Sequence, residues 1–257
     1  MTLAGVLRLV YRLPFLLLHV LISTPVTILC QNPAIRSIQL AGKPLGETTS
    51  CWWSRVSCRI FGIRRRLSGE FIPGAQLIAA NHISWIDIAV LHSFAAMGFV
   101  AKAEINSWPL VGAVARAGGS VFHQRGSHDS ASGVAAAMAA RLRENRKVAI
   151  FPEGGILPGE QVKFFHARLF AAAIETEIPV QPVMLRYLRG GSRYDEITFL
   201  PGEHFVANYF RLLMQKSCTV DVHVLPLIES AGRQRRHLAR EAEDAVRKAY
   251  ESELPNE

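Results

Sequence analysis

The amino-acid sequence predicts an α/β protein: a largely parallel sheet flanked by helices, with an N-terminal membrane-associated helical extension. Strand-like apolar runs alternate with helix-like runs through most of the chain, which is typical of a parallel sheet covered on both faces. A longer apolar stretch precedes the first strand-like run, and polar residues directly follow several of the strand-like runs. We therefore expect a helical region at residues 1–66 and one α/β domain at residues 67–257.

Composition indicates a membrane surface as a partner. The chain has 257 residues, 49% of them hydrophobic, and a formal net charge of +8. A basic and apolar chain suits an anionic membrane, where each nearby Lys or Arg is worth about 1 kcal/mol. Nucleic acid is the competing partner of a basic chain, but the sequence contains no helix-turn-helix, RNA-recognition or zinc signature. We expect no nucleic-acid binding.

The cysteines exclude two kinds of scaffold. They are Cys30, Cys51, Cys58 and Cys218. No two of them have the close spacing of a zinc site, and four scattered cysteines do not form a disulfide framework in a chain of this length. We expect a reducing compartment and neither a metal nor a cofactor.

The first element is the apolar run from Leu13 to Cys30, which follows Arg8 and Arg12. Its length is at the lower limit for crossing a bilayer, which takes about 18–20 residues. The run could span once, lie in the interface or serve as a signal peptide. No small-x-small cleavage site follows it, so we expect an uncleaved anchor that either spans or is re-entrant.

Residues 52–66 form the next segment, which mixes aromatic and basic side chains. Trp52 and Trp53 suit the headgroup level of a membrane, and the arginines suit anionic phosphate. An amphipathic helix of the domain itself, ended by Gly62, accounts for the same pattern. Both interpretations stay open.

Beyond residue 75 the two kinds of run alternate. The strand-like runs are residues 76–80, 98–101, 120–123, 147–151, 178–185, 196–200 and 219–225. The helix-like runs are residues 85–96, 109–117, 130–145, 167–175, 205–215 and 233–251, the last predicted to be a solvated helix. His82, Lys102, Arg125 and Glu153 each fall just beyond a strand-like run. In parallel sheets the site lies outside the carboxyl ends of the strands, so these side chains are expected to converge.

His82 and Asp87 are the most informative pair in the chain. They are separated by four residues, with His82 in a strand-to-helix turn and Asp87 in the first turn of the helix. Histidine titrates near neutral pH and can take and return a proton, and a carboxylate on its other nitrogen would fix the tautomer. Asp87 could alternatively be a first-turn residue that the helix dipole favours.

Four ordered blocks resemble the glycerolipid acyltransferase family, whose best-known member is lysophosphatidic acid acyltransferase. They cover about two-fifths of the chain. The blocks are Asn81-His82-x4-Asp87, then Lys102-x-Glu104-x3-Trp108-Pro109-x2-Gly112 with a later Phe122-x2-Arg125, then Phe151-Pro152-Glu153-Gly154, then Val180-x-Pro182-Val183. The resemblance implies that residues 67–257 form an acyltransferase catalytic domain.

The resemblance also implies a mechanism and site residues. His82 would be the general base and Asp87 its orienting partner. Acyl transfer from a thioester needs no enzyme nucleophile, and the chain has no Gly-x-Ser-x-Gly elbow, so we expect direct transfer. Lys102 and Arg125 would bind the acceptor's phosphate, Glu153 would contribute to acceptor binding, and Gly154 would let backbone amides approach the ligand. Surface salt bridges are the alternative role of the two cations.

Two departures from the family concern the acceptor headgroup. Gly155 stands where the family usually has Thr or Ser, so one hydroxyl is missing. Members often continue with Pro-Phe-Lys-x-Gly, whereas residues 162–170 align only through Phe165 and His166. The expected substrates are an acyl thioester, from coenzyme A or acyl carrier protein, and a lysophospholipid such as lysophosphatidic acid. Lyso-ornithine lipid is the alternative acceptor.

Two other functions compete with acyl transfer. One is a lipid or thioester hydrolase that uses His82 and Asp87 to activate water, and the other is a non-enzymatic membrane scaffold.

The expected location is the inner, cytoplasmic membrane, with the catalytic domain facing the cytoplasm. A single span would put the arginines inside and the domain outside, away from its thioester supply. This conflict favours a monotopic or re-entrant anchor.

Overall fold

The N-terminal third of the molecule begins with one long apolar rod. In this computed structural model, which describes residues 2–107, 111–123, 128–156 and 161–252, helix α1 (Leu3–Leu18) continues through a π-helical turn (His19–Ser23) into helix α2 (Thr24–Cys30). The side chain of Thr2 caps α1 by accepting from the Gly5 amide. The rod has 28 residues and contains an 18-residue window with a mean hydropathy of 2.0, so it is long and apolar enough to cross a membrane.

A short hairpin, a helix and a strand connect the rod to the main sheet. Strands β1 (Gln39–Leu40) and β2 (Lys43–Pro44) form the hairpin, and helix α3 (Leu45–Ile60) follows. Gly62, whose φ of 75° suits glycine, ends the helical segment and leads into strand β3 (Ile63–Ser68). The amphipathic-helix interpretation of residues 52–66 is therefore confirmed up to Ile60, and residues 63–66 are strand.

The remaining elements alternate as expected for an α/β protein. In order, they are β4 (Leu77–Ala80), α4 (Asp87–His92), β5 (Gly98–Lys102), α5 (Val111–Ala117), β6 (Val121–His123), α6 (His128–Arg143), β7 (Val148–Ile150), α7 (Ala171–Thr176), β8 (Val180–Arg189), β9 (Ser192–Arg193), α8 (Phe205–Met214), β10 (Cys218–Val224) and α9 (Arg235–Glu251). Short 3₁₀ turns occupy Ala103–Ser107, Ala167–Phe170 and Asp195–Ile197.

The main sheet is mostly parallel, which confirms the predicted fold class. Its strand order is β3-β10-β8-β4-β7-β5-β6, with β9 paired to β8. Strands β8, β4, β7, β5 and β6 are parallel to one another, whereas β10 runs antiparallel to β8 and parallel to β3. The carboxyl ends of the five parallel strands therefore share one edge of the sheet.

Helices cover both faces of the sheet, and each face has its own core. One core packs side chains of α3, α4 and α8 against the sheet, and the other packs those of α6, α7 and α9. Strand β4 is fully buried between the two, as a central parallel strand should be.

Two sequence predictions about elements differ from the structure. Residues 196–200 are not a strand: Asp195–Ile197 form a 3₁₀ turn. Helix α9 is not simply solvated, because Leu238, Val246 and Tyr250 are buried against the domain. The division into residues 1–66 and 67–257 stays a prediction; strand β3, which contains residues 66 and 67, pairs with β10 in the main sheet.

Candidate active site

The turn after β4 carries the first site residues, and Asn81 fixes its position. The Asn81 side-chain amide donates to the carbonyl oxygen of Leu185 at 2.9 Å, and its oxygen accepts from the Leu185 N–H at 2.8 Å. These two bonds extend the β4–β8 pairing by one residue beyond the end of β4. Asn81 therefore holds the turn against β8, and this fixes the backbone position from which the His82 side chain extends.

Asp87 is fully buried and receives four hydrogen bonds. Its Oδ2 atom accepts from His82 Nδ1 at 3.0 Å, from the Ile83 N–H at 2.7 Å and from the Ser84 N–H at 2.9 Å. Its Oδ1 atom accepts from the Tyr187 hydroxyl at 2.7 Å. Every partner is a donor, which suits the ionised, acceptor-only form of a carboxylate.

His82 is held on a second side by an aromatic ring. Its imidazole stacks on Phe151 with ring centroids 3.9 Å apart and an interplanar angle of 11°. Because an ionised carboxylate only accepts, this bond places a hydrogen on His82 Nδ1, and in the neutral ring Nε2 then has the lone pair. His82 also lines an open pocket. The structure thus brings His82 and Asp87 together as the sequence predicted, in an arrangement that can remove a proton from a hydroxyl.

Glu153 lies beside this pair and binds backbone on both sides. Its Oε2 atom accepts from the His82 N–H at 2.8 Å, and its Oε1 atom accepts from the Lys163 N–H at 2.9 Å. Burial raises the pKa of Glu153 to about 7, against the opposing effect of the two backbone hydrogen bonds. The carboxyl group joins the His82 turn to the segment around Lys163 and also lines the pocket.

The pocket beside His82 combines charged, polar and aromatic side chains. Ser84 links the turn after β4 to the segment that contains Asp195 and Thr198, because its hydroxyl donates to the Ile197 carbonyl oxygen at 3.0 Å. The lining residues are Asn81, His82, Ile83, Glu153, Gln161, Lys163, Asp195, Thr198 and Tyr250. The pocket therefore carries both acidic and basic groups within reach of the candidate base.

The remaining predicted residues have different positions in the structure. Gly154 follows Glu153 with a φ of 80°, and a Cβ there would lie 3.4 Å from the His166 ring. Lys102 is the last residue of β5, at the same sheet edge as His82, in register with His123. Arg125 lies outside the described residues, as do Trp108 and its two following neighbours.

Several contributors to the site were missed from the sequence. Tyr187 comes from β8, Asp195 from the following 3₁₀ turn, and Tyr250 from α9. Glu243 of α9 accepts from the Phe165 N–H at 2.8 Å and so holds the segment next to Lys163. Only the tertiary fold brings these residues to the site, so no local spacing could have marked them.

Comparisons with known proteins agree with the geometry. The sequence model of the family described as Acyltransferase matches residues 64–186. The chain is 37% identical over 206 residues to the lyso-ornithine lipid O-acyltransferase of Pseudomonas aeruginosa, covering 80% of each. It is 30% identical over 182 residues to the 1-acyl-sn-glycerol-3-phosphate acyltransferase of Neisseria gonorrhoeae, covering 68% of this chain and 69% of that one.

A solved structure has the same fold. The 1-acyl-sn-glycerophosphate acyltransferase PlsC of Thermotoga maritima matches with a TM-score of 0.73 and 18% identity, over 96% of this chain and 95% of that one. The chain belongs to the acyltransferase family. The protein is an O-acyltransferase.

Proposed function

We propose that this lysolipid acyltransferase moves a fatty acyl group directly from a thioester to the free hydroxyl of its acceptor, with His82 as general base. The observation that carries the proposal is the 3.0 Å contact between His82 Nδ1 and buried Asp87. This contact favours the tautomer with its hydrogen on Nδ1 and so supports Nε2 as the proton acceptor, at a residue that lines the pocket.

The reaction then needs one base and no covalent enzyme intermediate. His82 Nε2 takes the proton of the acceptor hydroxyl while its oxygen attacks the carbonyl carbon of the thioester. The tetrahedral intermediate collapses by breaking the carbon–sulfur bond, and the leaving thiolate takes the proton back from the imidazolium. An ester and a free thiol result. The Asp87 carboxylate stabilises the imidazolium between the two proton transfers.

Three backbone N–H groups of the turn are not available as oxyanion donors. The N–H groups of Ile83 and Ser84 donate to Asp87, and the N–H of His82 donates to Glu153. The groups that stabilise the oxyanion are therefore other than these three N–H groups.

Lyso-ornithine lipid is the acceptor that the observations favour. An ornithine headgroup carries one carboxylate and one ammonium group. The pocket offers Lys163 and Asp195 as one cation and one exposed anion, in addition to buried Glu153. A phosphomonoester would meet repulsion from Asp195. The 37% identical relative is named for this acceptor.

Lysophosphatidic acid is the second candidate acceptor. The relative of Neisseria gonorrhoeae and the solved structure of Thermotoga maritima are both named for it. Lys102 and Arg125, at the ends of the second sequence block, would then bind the phosphate.

The donor and the location complete the proposal. The donor is an acyl thioester of coenzyme A or acyl carrier protein. The apolar rod of α1 and α2 rests in the cytoplasmic membrane without placing the catalytic domain outside, so that the pocket receives lipid and thioester on the same side.

The test is thiol release by the detergent-solubilised protein supplied with palmitoyl-coenzyme A or palmitoyl-acyl carrier protein. Lyso-ornithine lipid, lysophosphatidic acid, other lysolipids and no acceptor are compared. We expect release that depends on lyso-ornithine lipid and is abolished in His82→Ala, because the variant has no base. His237→Ala, which changes an exposed histidine of α9, is the matched control and should keep full activity.

The other outcomes separate the competing functions. Release without acceptor indicates a hydrolase. Release only with lysophosphatidic acid overturns the ornithine assignment and keeps the mechanism. Near-full activity of a folded His82→Ala variant excludes the general-base mechanism. Vesicle binding with no turnover on any donor and acceptor supports the scaffold.

A further inference from the structure

Tyr187 reaches the catalytic pair from the middle of the sheet. It lies on β8, two residues after Leu185, the residue that Asn81 holds. Its side chain is buried, with 2% of the residue exposed, and its hydroxyl donates to Asp87 Oδ1 at 2.7 Å. Alternate residues of a strand share one face, so Leu185 and Tyr187 lie on the same side of β8. The two hydrogen bonds between Asn81 and Leu185 therefore also fix the position of Tyr187 relative to the turn after β4.

The two oxygens of Asp87 are satisfied unequally. Three donors converge on Oδ2, and all three belong to the turn at His82, Ile83 and Ser84. Among the residues that the structure describes, the hydrogen bond to Oδ1 comes from Tyr187. Without this hydroxyl, one oxygen of a fully buried carboxylate would have no donor, which is unfavourable for an ionised group.

We propose that Tyr187 is a positioning residue of the catalytic pair: its hydroxyl fixes the plane of the Asp87 carboxylate and shares its negative charge. This role rests on the proposed function of His82 as the base. A carboxylate that bonds through both oxygens cannot rotate about its Cβ–Cγ bond, so Oδ2 stays in line with His82 Nδ1. A carboxylate that shares its charge also holds the imidazolium less tightly, which lets the proton move on to the leaving thiolate.

The hydroxyl remains a donor over the working pH range. Burial, and next the charge of Asp87, raise the pKa of Tyr187 well above its ordinary value of 10.0. Tyr187 therefore takes no part in proton transfer and acts only through Asp87.

The test is Tyr187→Phe, with Tyr194→Phe as the matched control. Both substitutions remove one buried hydroxyl from a ring that otherwise keeps its shape. Tyr194 packs under the Arg189 guanidinium, 3.5 Å from the ring centroid, instead of bonding to Asp87. We expect Tyr187→Phe to lower kcat by about tenfold and to leave KM within about twofold. Tyr194→Phe should match the unchanged protein.

The pH–rate profile distinguishes positioning from a structural role. When Asp87 no longer shares its charge, it favours the protonated imidazole more strongly. The acid limb of the kcat/KM profile should therefore move to higher pH in Tyr187→Phe, by about half a unit. A lower kcat with an unmoved acid limb and a lower unfolding temperature would reduce Tyr187 to a packing role. A higher KM with kcat retained would assign it to acceptor binding. Either result overturns the proposal.

A double-mutant comparison keeps the test independent of stability. If Tyr187 acts through Asp87, Tyr187→Phe should have no further effect on kcat in an Asp87→Asn background. Additive losses contradict the proposal. Full activity of a folded His82→Ala variant would instead refute the general-base function itself, so the two failures remain distinguishable.

Discussion

The carboxyl group of Glu153 accepts hydrogen bonds from two backbone N–H groups, which a glutamine side chain in its place could not do. Both oxygens accept, one from the His82 N–H and one from the Lys163 N–H. Glutamine has one oxygen and would turn its NH₂ toward one of these donors. The family's assignment of this residue to acceptor binding stays a prediction. The geometry adds that Glu153 joins the His82 turn to the segment around Lys163.

The raised pKa of Glu153 makes part of the stability depend on pH. Because the pKa of about 7 in the fold exceeds the ordinary 4.5, the fold favours the protonated form. The stabilisation is present below about pH 4.5 and is lost as the pH rises through 7, by about 3 kcal/mol at most. Burial lowers the pKa of His92 to about 4, which contributes with the opposite sign between pH 4 and 6.5.

A comparison of variants isolates the contribution of Glu153. In Glu153→Gln, the free energy of unfolding should fall less steeply between pH 5 and 8 than in the unchanged protein, because the amide does not titrate. Urea unfolding at four pH values measures both slopes. Glu144→Gln, which alters an exposed glutamate, should leave the slope unchanged. Equal slopes in Glu153→Gln and the unchanged protein would contradict the raised pKa.

At the residue scale, sequence motifs predicted the central contact of the candidate site better than the residues around it. His82 and Asp87 could be predicted because a strand end and the following helical turn bring them together locally. Glu153 could be predicted at the same sheet edge because, like His82, it falls just beyond a strand-like run; the structure makes the two strands, β7 and β4, parallel neighbours. Tyr187 could not be assigned, because its contact with Asp87 depends on the register of β8 and on burial, which no spacing records.

At the scale of elements, the buried parallel strands were predictable and the edge of the sheet was not. The sequence predicts strand β4 because its four residues are apolar, and the structure buries all four. Strand β3 contains three consecutive arginines, and the sequence places most of it in the predicted helical region at residues 1–66. Its strand conformation comes from pairing with β10, about 150 residues later, which no local pattern can indicate.

The contact between α1 and α8 includes one buried arginine. Arg12 is 4% exposed, and its Nη1 atom donates to the carbonyl oxygens of Leu213 and Gln215, each at 2.9 Å. These groups lie at the carboxyl end of α8, where carbonyls lack helical partners and attract cations. The arginine therefore links the apolar rod to the end of α8.

Arg12→Met should destabilise the protein by about 3 kcal/mol, since it removes two hydrogen bonds from a charged donor and leaves buried carbonyls without a partner. In a chain of this size, that corresponds to a fall in unfolding temperature of roughly 6–12 °C. Thermal unfolding in detergent measures it. Arg8→Met, which removes a single 3.2 Å bond to Met214, is the control and should have a much smaller effect. Equal effects would refute the assigned role of Arg12.

At the scale of the whole molecule, exposed apolar side chains are concentrated on the rod. Only 22% of its apolar window is buried. The large exposed side chains along it are Leu3, Leu7, Val10, Tyr11, Phe15, Leu17, Leu18, Leu21, Ile22, Val26 and Leu29. A surface of this extent on a protein otherwise packed around two cores is what a lipid-facing element requires.

We expect a triple variant to bind less tightly to vesicles that contain anionic phospholipid, by at least about a hundredfold. The three substitutions are Leu7→Ser, Phe15→Ser and Leu21→Ser. Each buried apolar side chain is worth about 1.5–3 kcal/mol. Co-sedimentation measures the binding, and thiol release with a detergent-dispersed acceptor should persist. Leu200→Ser, which changes an exposed apolar residue away from the rod, is the control. Unchanged binding of the triple variant would show that lipid contacts another surface.

The link between Arg12 and α8 also has a consequence for how the protein is made. The carbonyl of Leu213 lies 201 residues after Arg12 in the chain. At about 5–20 residues per second, a ribosome needs roughly 10–40 s to add that length. A helix forms within about a microsecond. The apolar rod is therefore complete long before α8, to which Arg12 binds, has been synthesised. Throughout that interval, lipid or a chaperone must cover the apolar surface of the rod.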